Sequence, residues 1–186
     1  MSWSKVKWTE AAQVAVLLDD EADLGEDGRT KPKVYFEKLR EGGQLNEATF
    51  FLGQALPRFE TVAWAARTVR DLRETPLKPG PDADALKATL LWVQDPSDTR
   101  RRAAFDAANR IKGASAERLV ALAAFFSGGS ITPADVAPVP APKEAAGRFS
   151  AGAVLLAAVA TADKNAALNK ALDAGSVMAD QGVGAA

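Results

Sequence analysis

The chain of 186 residues contains neither cysteine nor histidine. Without cysteine there is no disulfide framework, thiolate metal site or Cys nucleophile, and a reducing compartment is permitted. Without histidine there is no Ser-His-Asp triad, no His-ligated zinc and no side chain with an ordinary pKa near neutrality. Any catalysis would have to run on Asp, Glu, Lys or Ser alone. Charge of one sign is also lacking: the net charge is −1, so no global basic field recruits nucleic acid. Long apolar runs are missing too. The most apolar stretch, 151–160, is about half the length needed to cross a bilayer. At the N-terminus Lys5, Lys7 and a short apolar run are followed at once by Asp19, Asp20 and Glu21, which does not match a signal peptide. These absences predict a soluble, cytoplasmic protein that works without cofactor or metal and engages neither membrane nor nucleic acid.

What the chain does have is alanine, the best helix former and a poor strand former. Apolar residues recur at helical spacing in about eight or nine segments. Thr9 caps a first helix whose Ala12, Val16 and Leu17 are predicted to face inward. An acidic stretch, Asp19 to Asp27, follows as a solvated loop. Pro32 opens a second helix that stops at Gly42-Gly43, and a third runs from Leu45 to Gln54. Pro57 begins a fourth, with Phe59, Val62, Ala63, Ala66 and Val69 on one stripe. Pro76, Pro79 and Pro81 make a short rigid linker to a fifth at Asp82–Gln94. Asp95-Pro96-Ser97-Asp98 reads as a strong start for the sixth, with Asp95 as an acidic cap and Pro96 in the first helical position. Ser115 caps the seventh, which ends at Gly128-Gly129. An eighth covers about Phe149 to Thr161, apolar nearly all round and therefore central, and a ninth covers Asn165 to Met178.

The predicted architecture is thus all-α: a single helical domain over 1–180, built as a multi-helix bundle or short α-solenoid. It would have a flexible start at 1–7, a Pro-rich crossover strap at 127–147 and a frayed tail at 181–186. Pro133, Pro138, Pro140 and Pro142 force the strap into extended conformation. Ile131, Val136 and Val139 are expected to bury against the helices it crosses. The expected core joins Leu119, Leu122 and Phe126 to Leu155, Leu156 and Val159, with Phe59, Val62, Leu90 and Phe105 around them.

No constellation carries a recognisable reaction. The acidic stretch lacks the order of a calcium loop, and Gly128-Gly129-Ser130 lacks the lysine and the preceding strand of a phosphate cradle. Trp64 and Trp92 fall inside helices as core or groove wall. The candidates that remain are arginine and tryptophan, the residue types most enriched at binding hot spots. Arg67, Arg70, Arg101 and Arg102 exceed the acids near them on the same helices, so an acidic protein partner would complement them. Alternatively they pair with the acidic loop. Trp3 and Trp8 either fold back onto the body or meet the partner. The Pro-Val-Pro segment either binds an aromatic groove elsewhere or is a structural strap, and a pocket under it could hold a small molecule or peptide.

Several phrases in order resemble a known family. They are Leu56-Pro57-Arg58 leading to Val62-Ala63-Trp64-Ala65, Trp92-Val93 with Asp95-Pro96-Ser97, and Arg101-Arg102-Ala103-Ala104. Ala121-Leu122-Ala123-Ala124-Phe125-Phe126-Ser127-Gly128-Gly129-Ser130 follows, then Pro138-Val139-Pro140 and Ala151-Gly152-Ala153-Val154-Leu155-Leu156-Ala157-Ala158. The series, about 44–160, resembles an uncharacterised, mainly proteobacterial family of unknown function whose members occur near type VI secretion genes. The resemblance implies a non-enzymatic accessory protein: an adaptor, effector chaperone or immunity-like partner. It transfers no catalytic residue.

Overall fold

The computed structural model describes residues 3–133 and 135–185. Met1 and Ser2 of the expected flexible start, Ala134 of the strap and Ala186 of the tail lie outside them. The described residues form nine α-helices: α1 (Ala11–Ala15), α2 (Pro32–Glu41), α3 (Leu45–Ala55), α4 (Arg58–Asp71), α5 (Pro81–Gln94), α6 (Asp98–Asn109), α7 (Ala116–Phe126), α8 (Ala145–Val159) and α9 (Lys164–Gln181). Short 3-10 turns occupy Gly25–Arg29 and Val183–Ala185. The fold is an all-α helical bundle.

Local chemistry sets the helix ends. Pro32 and Pro81 occupy the first turns of α2 and α5, where their fixed φ suits the helix and their missing N–H costs nothing. Ser97 and Ser115 cap α6 and α7 by accepting from the N–H of Arg100 and Arg118. For α6 the cap is therefore Ser97, not Asp95, and Pro96 lies before the helix. The serine hydroxyl reaches the third N–H of the turn, the bond that defines an N-cap. Gly43 ends α2 with φ +73, and the Gln44 N–H donates back to the Leu39 carbonyl at 2.8 Å. That left-handed turn favours glycine. In α1 the cap is Glu10, and Ala11, Val14 and Ala15 are buried while Val16 is exposed. The inward face is thus displaced from the predicted Ala12 and Val16, because the helix docks on the Thr30 carbonyl through the Ala11 N–H at 2.8 Å.

α8 is the central helix, packed on α3, α4, α7 and α9. Its inward face is made of small residues, Gly147, Ser150, Ala151, Ala153, Val154 and Ala158. A Cβ on Gly147 would stand 2.7 Å from the Gly53 carbonyl oxygen of α3, so the two backbones touch directly. The same device recurs at α9, where a Cβ on Gly175 would meet Leu52 at 2.5 Å and the Trp64 indole nitrogen at 2.9 Å. The space left by Gly175 admits that indole, which donates to the Ala171 carbonyl at 2.8 Å. The expected core is corrected accordingly. Leu156 and Val159 are exposed, 37% and 61%, and Leu119, Leu122, Phe126 and Leu155 are only partly buried. Val120, Phe125 and Val154 take the inner positions instead. Past Arg118 and Ser150 the two helices are apolar on every side, so periodicity could not select a face there. Close approach selects the alanines and glycines.

The two ends of the chain meet. Residues 3–7, expected to be flexible, are anchored: the Trp3 indole donates to Ser176 Oγ at 3.0 Å and packs against Phe36. The Lys5 N–H donates to the Ala179 carbonyl at 2.9 Å, and the Ser4 hydroxyl donates to the Asp180 carbonyl. The tail expected to fray continues as the turn at Val183–Ala185, whose Val183 carbonyl accepts from Arg67 Nη1 at 2.9 Å. A buried aromatic at one end and a charged donor at the other supply the anchors that terminal residues usually lack.

Candidate functional site

The four candidate arginines do not form one surface. Arg101 is 4% exposed. Its guanidinium donates to the carbonyls of Phe125 and Ser130, both at 2.7 Å, and to Asp98 Oδ1 from Nε at 2.9 Å. It also lies over the Phe125 ring, 4.8 Å from the centroid. Arg102 donates to Asp98 Oδ2 at 2.9 Å and to the Thr132 carbonyl at 2.9 Å. Arg101 therefore ties the end of α7 to the start of the strap, whereas Arg102, whose side chain is 31% exposed, holds only the strap. The hydrogen bonds they give Asp98, two from Arg101 and one from Arg102, hold its carboxyl below the usual carboxylate range.

The described residues of the strap are held by hydrogen bonds and not by the apolar burial expected of them. Its Ser130 and Pro140 form a single antiparallel β-bridge. Around it the Ile131 N–H donates to the Val139 carbonyl at 2.9 Å, and the Thr132 hydroxyl to the Ala137 carbonyl at 2.9 Å. Val136 and Val139 are exposed, 52% and 45%, so the strap is tied by polar bonds instead of being laid on apolar surface. The ground beneath its start is filled: a Cβ on Gly129 would stand 3.2 Å from Arg101 Nη2.

Trp3 is part of the core. Trp8 is half-buried, with its indole donating to the Gln54 carbonyl at 3.3 Å and Lys7 Nζ 4.6 Å from its ring centroid. Both tryptophans fold back onto the body. Tyr35 lies beside Phe51, and its partial burial raises its pKa above the ordinary value, with Asp27 adding to the effect. No group of three or more Asp or Glu side chains is gathered as a metal site among the described residues, and the acidic stretch breaks up. Asp27 pairs with Lys38 at 2.5 Å, and Asp19 and Asp23 accept from backbone N–H groups of their own turn.

Arg67 and Arg70 remain, and the structure gives them a setting that the sequence did not. Between α4 and α9 runs a groove of about 340 Å³ with Trp64, Leu72, Val177 and Met178 on its floor and Arg67, Arg70 and Lys170 along it. Between the end of α4 and α5 lies a second, of about 530 Å³, lined by Leu77, Leu86, Leu90 and Leu91 with Arg73 and Lys87. Arg70 lines both grooves. Its partner is its neighbour Asp71, at 2.6 Å, a hydrogen bond that raises the guanidinium pKa further. Five cationic residues line the two grooves against Asp71 and Glu74, and one of them, Arg73, is ion-paired with the buried Glu117 behind it. Leu91 and Val177 are exposed, 40% and 39%. The sequence could not place Lys170 and Val177 beside α4, because that requires the α4–α9 pairing.

The profile of a family of unknown function, DUF6931, matches residues 35–179, from within α2 to near the end of α9. The chain belongs to that family. The DUF6931 segment extends past both ends of the stretch 44–160 on which the motifs fall, and it takes in the whole of α3 to α8 and all three groove-lining arginines. Trp3 and Trp8 lie before it. No curated protein and no solved structure matches the chain. Among the described residues no helix is long and apolar enough to cross a membrane.

Proposed function

We propose that this DUF6931 member is a non-enzymatic binding protein whose partner is an acidic, partly apolar protein segment seated across the two grooves that share Arg70. One observation carries the reading: apolar floors and a surplus of cations coincide on one face. Leu72, Leu77, Leu90, Leu91 and Val177 offer apolar contact area, while Arg67, Arg70, Lys87 and Lys170 offer complementary charge. Such a face suits a segment whose carboxylates fix register and whose apolar side chains supply affinity. Arg101 and Arg102 leave the proposed interface, and so do Trp3 and Trp8.

The motif resemblance extends the proposal. The protein would act in the bacterial cytoplasm as an adaptor, effector chaperone or immunity-like component beside type VI secretion machinery, in a mainly proteobacterial family. The experiment is affinity capture from the source bacterium with the wild type, an Arg70→Glu/Lys170→Glu variant and a Val159→Asp variant, all checked for helicity by circular dichroism. The expected result is a partner retained by wild type and Val159→Asp and lost with the double variant. Equal retention by all three removes the interface from this face. A turnover that disappears with an Asp or Glu substitution would overturn the non-enzymatic reading itself.

A further inference from the structure

At the opposite end of α4 its first turn meets the first turn of α8 around a separate cavity of about 250 Å³. Lys7, Arg58 and Lys143 line it, and no carboxylate does. None of the three cations has an ion-pair partner among the described residues, and Lys7 lies over the Trp8 ring instead. Pro57 stands at the N-cap of α4, and no side chain caps the helix. Its leading N–H groups therefore keep their hydrogen-bonding capacity, with the positive end of the helix dipole behind them. The first turn of α8 contributes Gly147 to the same wall, and that helix also lacks a side-chain cap.

A second observation points to a ligand independently of the helix ends. Thr61 lines the cavity, is 1% exposed, and its hydroxyl has no hydrogen-bond partner. An unpaired buried hydroxyl is costly, and a bound acceptor is one way of satisfying it. Uncompensated positive charge, two uncapped helix N-termini and an orphan donor all ask for the same thing, a small oxyanion. Three cations suit a dianion better than a single carboxylate. Trp8 and Leu17 add apolar wall beside them.

We propose that this cavity binds a phosphate group, as inorganic phosphate or as the head of a small phosphate monoester. The site shares no residue with the α4–α9 and α4–α5 grooves, so it stands or falls apart from the protein-binding proposal.

The test is isothermal titration of the full chain at low ionic strength, with inorganic phosphate, phenyl phosphate and benzoate as probes and matched chloride as background. Saturable phosphate binding is expected, weakened at least about tenfold by Arg58→Gln, the scale of a lost charge-assisted hydrogen bond. Thr61→Val keeps the volume and removes the hydroxyl. It should weaken phosphate about two- to tenfold while raising the Tm of the phosphate-free protein, a pairing that a purely structural threonine would not produce. Phenyl phosphate binding more tightly than phosphate assigns the site to an ester, and equal affinity assigns it to the free ion. No saturable binding of either up to about 10 mM overturns the proposal. Benzoate binding as well as phenyl phosphate overturns it too, as does unchanged affinity in both Arg58→Gln and Lys143→Gln. Arg58 and Lys143 are exposed, so their variants should fold.

Discussion

Where α8 crosses α3, and where α9 crosses α4, the surfaces in contact are Gly147, Gly53, Gly175 and a row of alanines, and backbone meets backbone or indole. Where α6 meets the end of α7 and the strap, the contact is one buried guanidinium shared among two carbonyls, a carboxylate and a ring. The first region is joined by shape and the second by directed bonds. A shape-joined region is sensitive to added atoms and to the loss of its large fillers. A bond-joined region is sensitive to the loss of a partner, because the groups left behind are buried and unpaired.

The sharpest separation should come from Trp64→Ala, which empties the space opposite Gly175 and frees the Ala171 carbonyl of a donor. It is expected to cost about 3–5 kcal/mol in denaturant unfolding, the range for a deleted core aromatic, while hydrogen exchange in the strap follows only global opening. Selective loosening of Ile131 and Val139 would merge the two regions into one.

Arg101→Met should come next, at roughly 2–3 kcal/mol, since it strands the Phe125 carbonyl and leaves the Ser130 carbonyl only its longer bond from Arg102. Here the effect should be local. Exchange at Ile131 and Val139 is expected to accelerate more than at Val154, and proteases should reach the strap first. Uniform acceleration across α8 would show that the strap has no separate opening.

Gly147→Ala adds a single carbon, which would stand 2.6 Å from the Gln54 carboxamide and 2.7 Å from the Gly53 oxygen. Overpacking of that kind costs about 1–3 kcal/mol. A neutral result in thermal unfolding would mean that α3 and α8 part without penalty, and the shape-joined description would fail there.

The smallest effect concerns pH. Because Asp98 has its carboxyl pKa lowered in the folded state, its contribution is present above its ordinary unfolded value and is lost as pH falls through the lower folded value. The side chain is 61% exposed, so solvent screening keeps the contribution below about 1 kcal/mol. Asp98→Asn should reduce stability slightly at neutral pH and flatten its decline in acid. An unchanged acid limb would show that Arg101 holds the strap without help from Asp98.

The comparison also explains which features could be read from the sequence. Helix ends fixed by one residue's own chemistry were legible: Ser115 as a cap, Pro32 and Pro57 at starts, Gly43 and Gly129 as stops. The face of α7 was not, because Leu119, Val120, Leu122 and Phe125 point around the whole helix and only packing on α8 chooses among them. Weight was a poor guide, since exposed Leu156 is larger than buried Ala153. For the site, Arg67 and Arg70 were visible as surplus charge, whereas Lys170 arrives from a helix about a hundred residues away along the chain. Arg101 looked like Arg102 in the sequence, and only the tertiary course of the strap makes one of them a buried tie. The three cations at the mouth of the α4–α8 cavity come from three separate segments and form no local pattern.

The closure of residue 3 on residue 176 has a consequence in time. A chain leaves the ribosome N-terminus first, at about 5–20 residues per second, so the Trp3 indole emerges roughly 10–35 s before the serine that receives it. Throughout that interval the indole N–H lacks the serine that receives it, and Trp3 and Phe36, once both are made, lack α9 beside them. Lys5 and Ser4 wait with it, since their acceptors on Ala179 and Asp180 are made later still. The segment that starts the chain is therefore among the last to find its place.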